Sequence, residues 1–182
     1  MNARIRAHRT VDLAAIRAVG FDLDHTLALY DDAAVNLIAA NAARRLLVEQ
    51  LHYPAWLAEA TSPMLVPPAA RALAADLRLG AIVKLDAARR VRRARLAGRW
   101  LTGDETSAAY PDGIPDSREW NYPVYSPFQL PVLWLLEEIE SRWPAPADRR
   151  ERCEHVRSML DLAHTNGTLK SQLRDDVGRF VS

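Results

Sequence analysis

Apolar residues change their period several times along the chain. The first run, Ile16 to Leu23 (IRAVGFDL), is short, nearly continuous and flanked by charge. A run of that length predicts a buried strand, here ending on Asp22-Leu23-Asp24. From Ala33 to His52 the spacing becomes helical. Val35, Leu37, Ile38, Leu46, Leu47, Val48 and Leu51 supply apolar positions, and alanines, which favour helix, fill the gaps. Asp31 or Asp32 supplies an N-cap, and Tyr53-Pro54 a stop. A short helical piece around Trp56 to Glu59 then runs into a proline-marked loop from Ser62-Pro63 to Pro67-Pro68.

From Asp76 the pattern suggests short strands. LGAIVKL and RVRRARL read as the arms of a hairpin joined at Asp86-Ala87-Ala88-Arg89. Thr102 to Pro127 is polar and rich in Pro, Gly, Asp and Ser, which predicts a long surface loop. Leu130 to Trp143 (LPVLWLLEEIESRW) predicts a helix, with Pro131 in its first turn and Pro144 past its end. A linker follows to Asp148. The remainder, Arg149 to about Val181, predicts helix interrupted near Thr165-Asn166-Gly167.

Composition adds limits. The 182 residues are 49% hydrophobic and 26% charged, enough for a core without staples. Cys153 is the lone cysteine, so intramolecular disulfides and multi-cysteine zinc sites are excluded, and a reducing, cytoplasmic setting is expected. No apolar run approaches the ~20 residues that span a bilayer, so no membrane partner is expected. The net charge of +1 gives no global field toward nucleic acid. One local cluster stands out: Arg89, Arg90, Arg92, Arg93, Arg95 and Arg99 between Ala88 and Arg99. It fits a contact to nucleic acid or a polyphosphate, or a hairpin with solvated arginines; without interleaved aromatics the solvated hairpin is preferred, and no nucleic-acid partner is expected. Lys84 and Lys170 are the only lysines among 24 basic residues.

Phe21-Asp22-Leu23-Asp24-His25-Thr26 carries the clearest chemistry. Two carboxylates at i and i+2 on a strand share one face, at the carboxyl end where open α/β sheets place ligands. Two acids so close repel unless a cation shares them, and a hard ion such as Mg²⁺ suits carboxylate and carbonyl oxygens. One acid can attack phosphorus while the other moves a proton. The plainer alternative is a strand end followed by an Asx-type turn. The DxDxT pattern behind an apolar strand resembles motif I of the haloacid dehalogenase (HAD) superfamily of phosphohydrolases. That resemblance implies that Asp22 is the nucleophile and a Mg²⁺ ligand. Asp24 becomes the general acid/base and lends its carbonyl to the metal. Thr26 becomes a substrate or loop contact, and His25 points away.

Further blocks narrow the family. GFDLDHTLALYDD, then a long helix and LHYPAWL, then LGAIVKLD with Lys84, then EWNYPVYSPFQLPVLWLL, occur in order. They are similar to segments of the HAD-type 5′-nucleotidases of the cytosolic purine kind. VRSMLDLAHTNGTLK, from Val156 to Lys170, resembles a nucleotide-pocket segment of that family. Arg157, Asp161 and His164 lie at i, i+4 and i+7, one helix face; on its own this would read as a surface helix with an Arg–Asp pair. The resemblance instead places Arg157, Asp161, His164 and Lys170 in the nucleotide pocket. It sets Phe128 against the base, although a Phe beside Leu130 reads equally well as core.

The resemblance implies an α/β fold: a HAD-like Rossmannoid core, represented by its first strand and flanking helices, with a large α+β cap insertion. Residues 1–35 then hold the core strand and motif I, 36–155 the cap, and 156–182 a nucleotide-binding helix returning to the core. The later motifs of the superfamily are not found, so the chain is expected to be the N-terminal part of a longer enzyme and inactive alone. The implied activity is Mg²⁺-dependent hydrolysis of nucleoside monophosphates, purine ones expected, and the resemblance suggests a homo-oligomer. Two alternatives stand beside it. One is a non-catalytic remnant binding a nucleotide or a protein; the other is a HAD phosphatase for a different phosphomonoester.

Overall fold

The computed structural model describes residues 14, 16–22, 26–60, 72–114, 121–145, 148–175 and 178. Helix α1 (Asp32–Leu51) begins where Asp31 caps it, its carboxylate accepting from the N–H groups of Ala33 and Ala34 at 3.1 and 3.0 Å. It ends with His52 in the left-handed region, and the Tyr53 N–H returns to the Leu47 carbonyl at 3.1 Å. Its buried Ala39, Ala40, Ala43 and Leu47 form a narrow seam that lets neighbouring helices approach closely. A short helix, α2 (Trp56–Glu59), buries Leu57.

Five strands form one sheet: β1 (Leu73–Asp76), β2 (Ala81–Leu85), β3 (Val91–Leu96), β4 (Arg99–Trp100) and β5 (Asn121–Pro123). Their order is β4-β3-β2-β1-β5, and every pairing is antiparallel. Strand alternation sorts the side chains. Leu73, Ala75 and Ile82 join the helical core, whereas Ala74, Ala81, Val83 and Ala94 pack under Tyr110 and Ile114 on the other face. The hairpin falls where the sequence places it. Its turn is fixed by the Asp86 carboxylate, which accepts from the Ala88 and Arg90 N–H groups at 2.9 Å each. Most arginines of this hairpin have partners in the fold. Arg90 and Arg92 meet Asp86, Arg99 meets Glu105, Arg95 meets Glu137, and Arg93 lies over the Trp100 ring.

Three expectations are corrected. Residues 16–22 form no strand: among the described residues no strand pairs with them, and Val19 and Phe21 are 68% and 70% exposed. The Thr102–Pro127 stretch is not a continuous loop. It holds α3 (Gly103–Ala109), started by a capping box in which Thr102 and Glu105 bond each other's backbone N–H, and the edge strand β5. Glu105 also takes both Arg99 nitrogens, and this pairing first, then the Thr102 N–H, holds its carboxyl down at about 2. Strand β1 lies upstream of Asp76, where LAA carried too little hydrophobicity to signal it.

Helices α4 (Leu130–Arg142), α5 (Arg149–Thr165) and α6 (Thr168–Asp175) complete the fold, close to their predicted bounds. Three carboxylates of α4 bind three different layers. Glu137 takes Arg95 at 2.8 Å and the Gly98 N–H at 3.1 Å. Glu138 takes Arg44 of α1 twice, at 3.0 and 2.7 Å, and that guanidinium is also held by Asn41. Glu140 takes Arg149 at 2.7 Å and Arg152 at 3.0 Å. Arg149 further donates to the Arg78 carbonyl and lies against Gly80, whose positive φ closes the β1–β2 turn. An added Cβ at Gly80 would stand 2.9 Å from the Arg149 Nε, so the turn and the clamp both require glycine. No helix among the described residues is long and apolar enough to cross a membrane.

The mixed α/β architecture agrees with the expected class. The Arg44–Glu138 pair is nearly sealed from water, with side chains 2% and 7% exposed. Glu138→Ala, which strands the Arg44 guanidinium, is expected to cost about 3–5 kcal/mol, read as a lowered urea midpoint at unchanged m-value. Replacing both partners, Arg44→Met with Glu138→Leu, should cost less than Glu138→Ala alone.

Candidate active site

The residues singled out in the sequence do not all fall together. Asp22 and Thr26 belong to the segment before α1, and both are exposed. Asp24 and His25 lie outside the described residues. The Asp22 carboxylate is a hard oxygen donor of the kind Mg²⁺ takes. Among the described residues, however, no three or more His, Cys, Asp or Glu side chains gather as a metal site. The donor chemistry of Asp22 fits Mg²⁺ in kind.

Phe128, His164 and Lys170 converge. They line one hollow of about 450 Å³ with Tyr30, Val35, Ile38, Leu169 and Leu173, a size within the roughly 300–1,000 Å³ usual for small-molecule sites. Each polar group is placed by its own element. His164 lies in the last turn of α5. Gly167, at φ 86°, then reverses the chain, and Asn166 accepts from the Thr168 N–H at 2.9 Å to start α6, which carries Lys170. Phe128 sits in a single 3₁₀ turn (Pro127–Gln129) leading into α4. Ser126 accepts from the Phe128 N–H, and the Gln129 side chain from the N–H groups of Tyr125 and Ser126. The surroundings are mainly apolar, with one imidazole and one ammonium group at an otherwise oily wall.

Arg157 does not reach this hollow. It borders a separate recess of about 230 Å³ with Asn121, Tyr122, Pro123, Tyr125, Gln129 and Glu154. There it pairs with Glu154 at 2.7 Å, three residues back, rather than with Asp161, and lies 5.9 Å from the Tyr122 ring centre. Asp161 is exposed and lines neither depression. The helical face drawn from the sequence is therefore split, with Arg157 at one depression and His164 at the other. Phe128 and Gln129 are consecutive, so the 3₁₀ turn walls both. Lys84 is a sheet residue, paired across to Leu73 and Arg93 in the backbone register, and lines neither.

Tyr30 is the lining residue that sequence reasoning missed. Its signal was slight: one aromatic immediately before the Asp31 cap. Cys153 is buried on α5, and burial first, then Glu154, pushes its thiol up to about 12. At pH 8 almost no thiolate exists in the folded protein. Iodoacetamide should therefore leave native Cys153 unmodified over hours by mass spectrometry and alkylate it promptly in denaturant.

A sequence model described as the 5′ nucleotidase family matches residues 5–182.

Proposed function

Since this chain belongs to the 5′ nucleotidase family, we propose that it carries out Mg²⁺-dependent hydrolysis of nucleoside monophosphates, purine ones foremost, by the HAD route through an aspartyl-phosphate. The observation that carries this reading is the convergence of Phe128, His164 and Lys170 on one hollow from three separate elements. An aromatic face suits a nucleobase, an ammonium group suits phosphate, and an imidazole suits hydroxyl or base-edge atoms.

In the proposed reaction an oxygen of the Asp22 carboxylate attacks phosphorus. The bond from phosphorus to the nucleoside 5′ oxygen breaks, and Asp24 gives that oxygen a proton. Asp24 then takes a proton from water, and the water oxygen attacks the phosphorus. The bond from Asp22 to phosphorus breaks, and phosphate leaves. The balance is nucleoside monophosphate plus water to nucleoside plus phosphate. Asp22 and Asp24 would hold Mg²⁺, which when bound neutralises charge on the phosphoryl oxygens. Thr26 orients the loop or the phosphate. Lys170 and His164 hold the nucleotide with Phe128 on its base. Arg157, at the neighbouring recess, and Asp161, exposed on α5, complete the proposed substrate contacts. We assign residues 1–35 to the segment that carries the motif, 36–155 to a cap, and 156–182 to the returning helix. The lone cysteine suits a cytoplasmic setting.

In the complete gene product, assayed with Mg²⁺ and inosine or guanosine monophosphate, Asp22→Asn should abolish phosphate release. Lys170→Ala should raise KM about tenfold, or ~1.4 kcal/mol. Phosphate release by Asp22→Asn at the parent rate overturns the covalent route.

A further inference from the structure

The hollow has a second aromatic residue to which no role has been given. Tyr30 and Phe128 meet edge to face, with ring centres 6.4 Å apart and planes at 78°, and both line the same space. We propose that Tyr30 is a positioning and specificity residue: it fixes the Phe128 ring and closes one end of an aromatic slot, so that the site selects phosphomonoesters that carry a planar base. This rests on the nucleotide reading of the hollow and names the residue that enforces its substrate class.

The geometry supports it in three ways. First, perpendicular rings suit one planar guest. A base stacked on Phe128 meets Tyr30 at its edge, the two arrangements that aromatic quadrupoles favour. Second, both rings hang from backbone that is already fixed. Tyr30 directly precedes Asp31, whose carboxylate caps α1. Phe128 is held in its 3₁₀ turn by the Ser126 hydroxyl, in the capping box completed by Gln129. Little ordering entropy remains to be lost on binding. Third, the charged and imidazole groups are few. His164 and Lys170 line the hollow, while Val35, Ile38, Leu169 and Leu173 join the two rings in its wall. The apolar share of the slot rewards burial of a base and gives nothing to a bare sugar phosphate. Tyr30 also follows Thr26 by four residues, so the segment bearing the carboxylate nucleophile is tied covalently to the base slot.

The test is equilibrium binding to the purified chain, with inosine monophosphate and ribose 5-phosphate as probes, so turnover is not needed. Tyr30→Leu should weaken inosine monophosphate about tenfold and ribose 5-phosphate by less than about twofold. Tyr30→Phe, which keeps the ring, should restore the parent preference. In a Phe128→Leu background, Tyr30→Leu should add little, because the tyrosine acts through the phenylalanine. Tyr30→Met replaces Tyr30→Leu if thermal melting shows that the latter does not fold. Unchanged affinity for inosine monophosphate overturns the proposal. So does an equal loss for both probes, the result of a purely structural role, and so does full additivity with Phe128→Leu. If the parent chain binds inosine monophosphate no more tightly than ribose 5-phosphate, the base-binding reading itself fails, and that is seen before any substitution is made.

Discussion

Helix α4 can exist only if its buried carboxylates are answered. Glu137, Glu138 and Glu140 sit on a helix whose other inward positions are leucine, valine and isoleucine, and a carboxylate taken from water without a partner costs several kcal/mol. Each is met by a guanidinium from a different layer: Arg95 in the sheet, Arg44 in α1, and Arg149 with Arg152 in α5. Hydrophobic burial supplies the drive to collapse, but it has no direction. The arginine contacts do have one, since two N–H groups of Arg44 converging on one Glu138 oxygen at 3.0 and 2.7 Å tolerate little sliding. The register of α4 on its three neighbours is therefore set by charge geometry inside an apolar cluster.

The hollow inherits its shape from that register. Its walls come from the segment before α1, from α1, from the turn before α4, and from the end of α5 with α6. If α4 shifted by one turn, Phe128 would move with it, and the imidazole and ammonium groups would no longer face an aromatic ring. The site is built by the same contacts that hold the helices together.

Much of this could be read in the sequence. The hairpin, α1, α4 and the break at Gly167 announced themselves through alternation, caps and a positive-φ glycine, all local signals. So did the residue types at the site, and Phe128, His164 and Lys170 do meet. What was not legible depended on neighbours distant in sequence. The run at Ile16 to Leu23 has a strand's composition, yet hydrogen-bond partners decide whether such a run becomes one. Strand β1 is mostly alanine and exists through its pairing with β2 and β5. Helix α3 was overlooked although Thr102 and Glu105 spelled out its capping box. The family resemblance placed Arg157 in one pocket with His164, and helix periodicity agreed by setting both on one face. Periodicity says which residues share a face; it does not say that the loop packed against that face divides it. The nearby Glu154, at i−3, captured the guanidinium first.

The two margins of the sheet have a consequence for solution behaviour. β4 is only two residues long, and β5 is three residues ending in Pro123, which has no N–H to offer. Neither margin can template another chain, so the sheet is blunted against fibre-like growth. Among the described residues, large apolar side chains stand exposed ahead of α1 instead, Val19, Phe21, Leu27 and Leu29 among them. At high concentration this protein should clump through greasy side chains, reversibly and without order, rather than lengthen strand by strand.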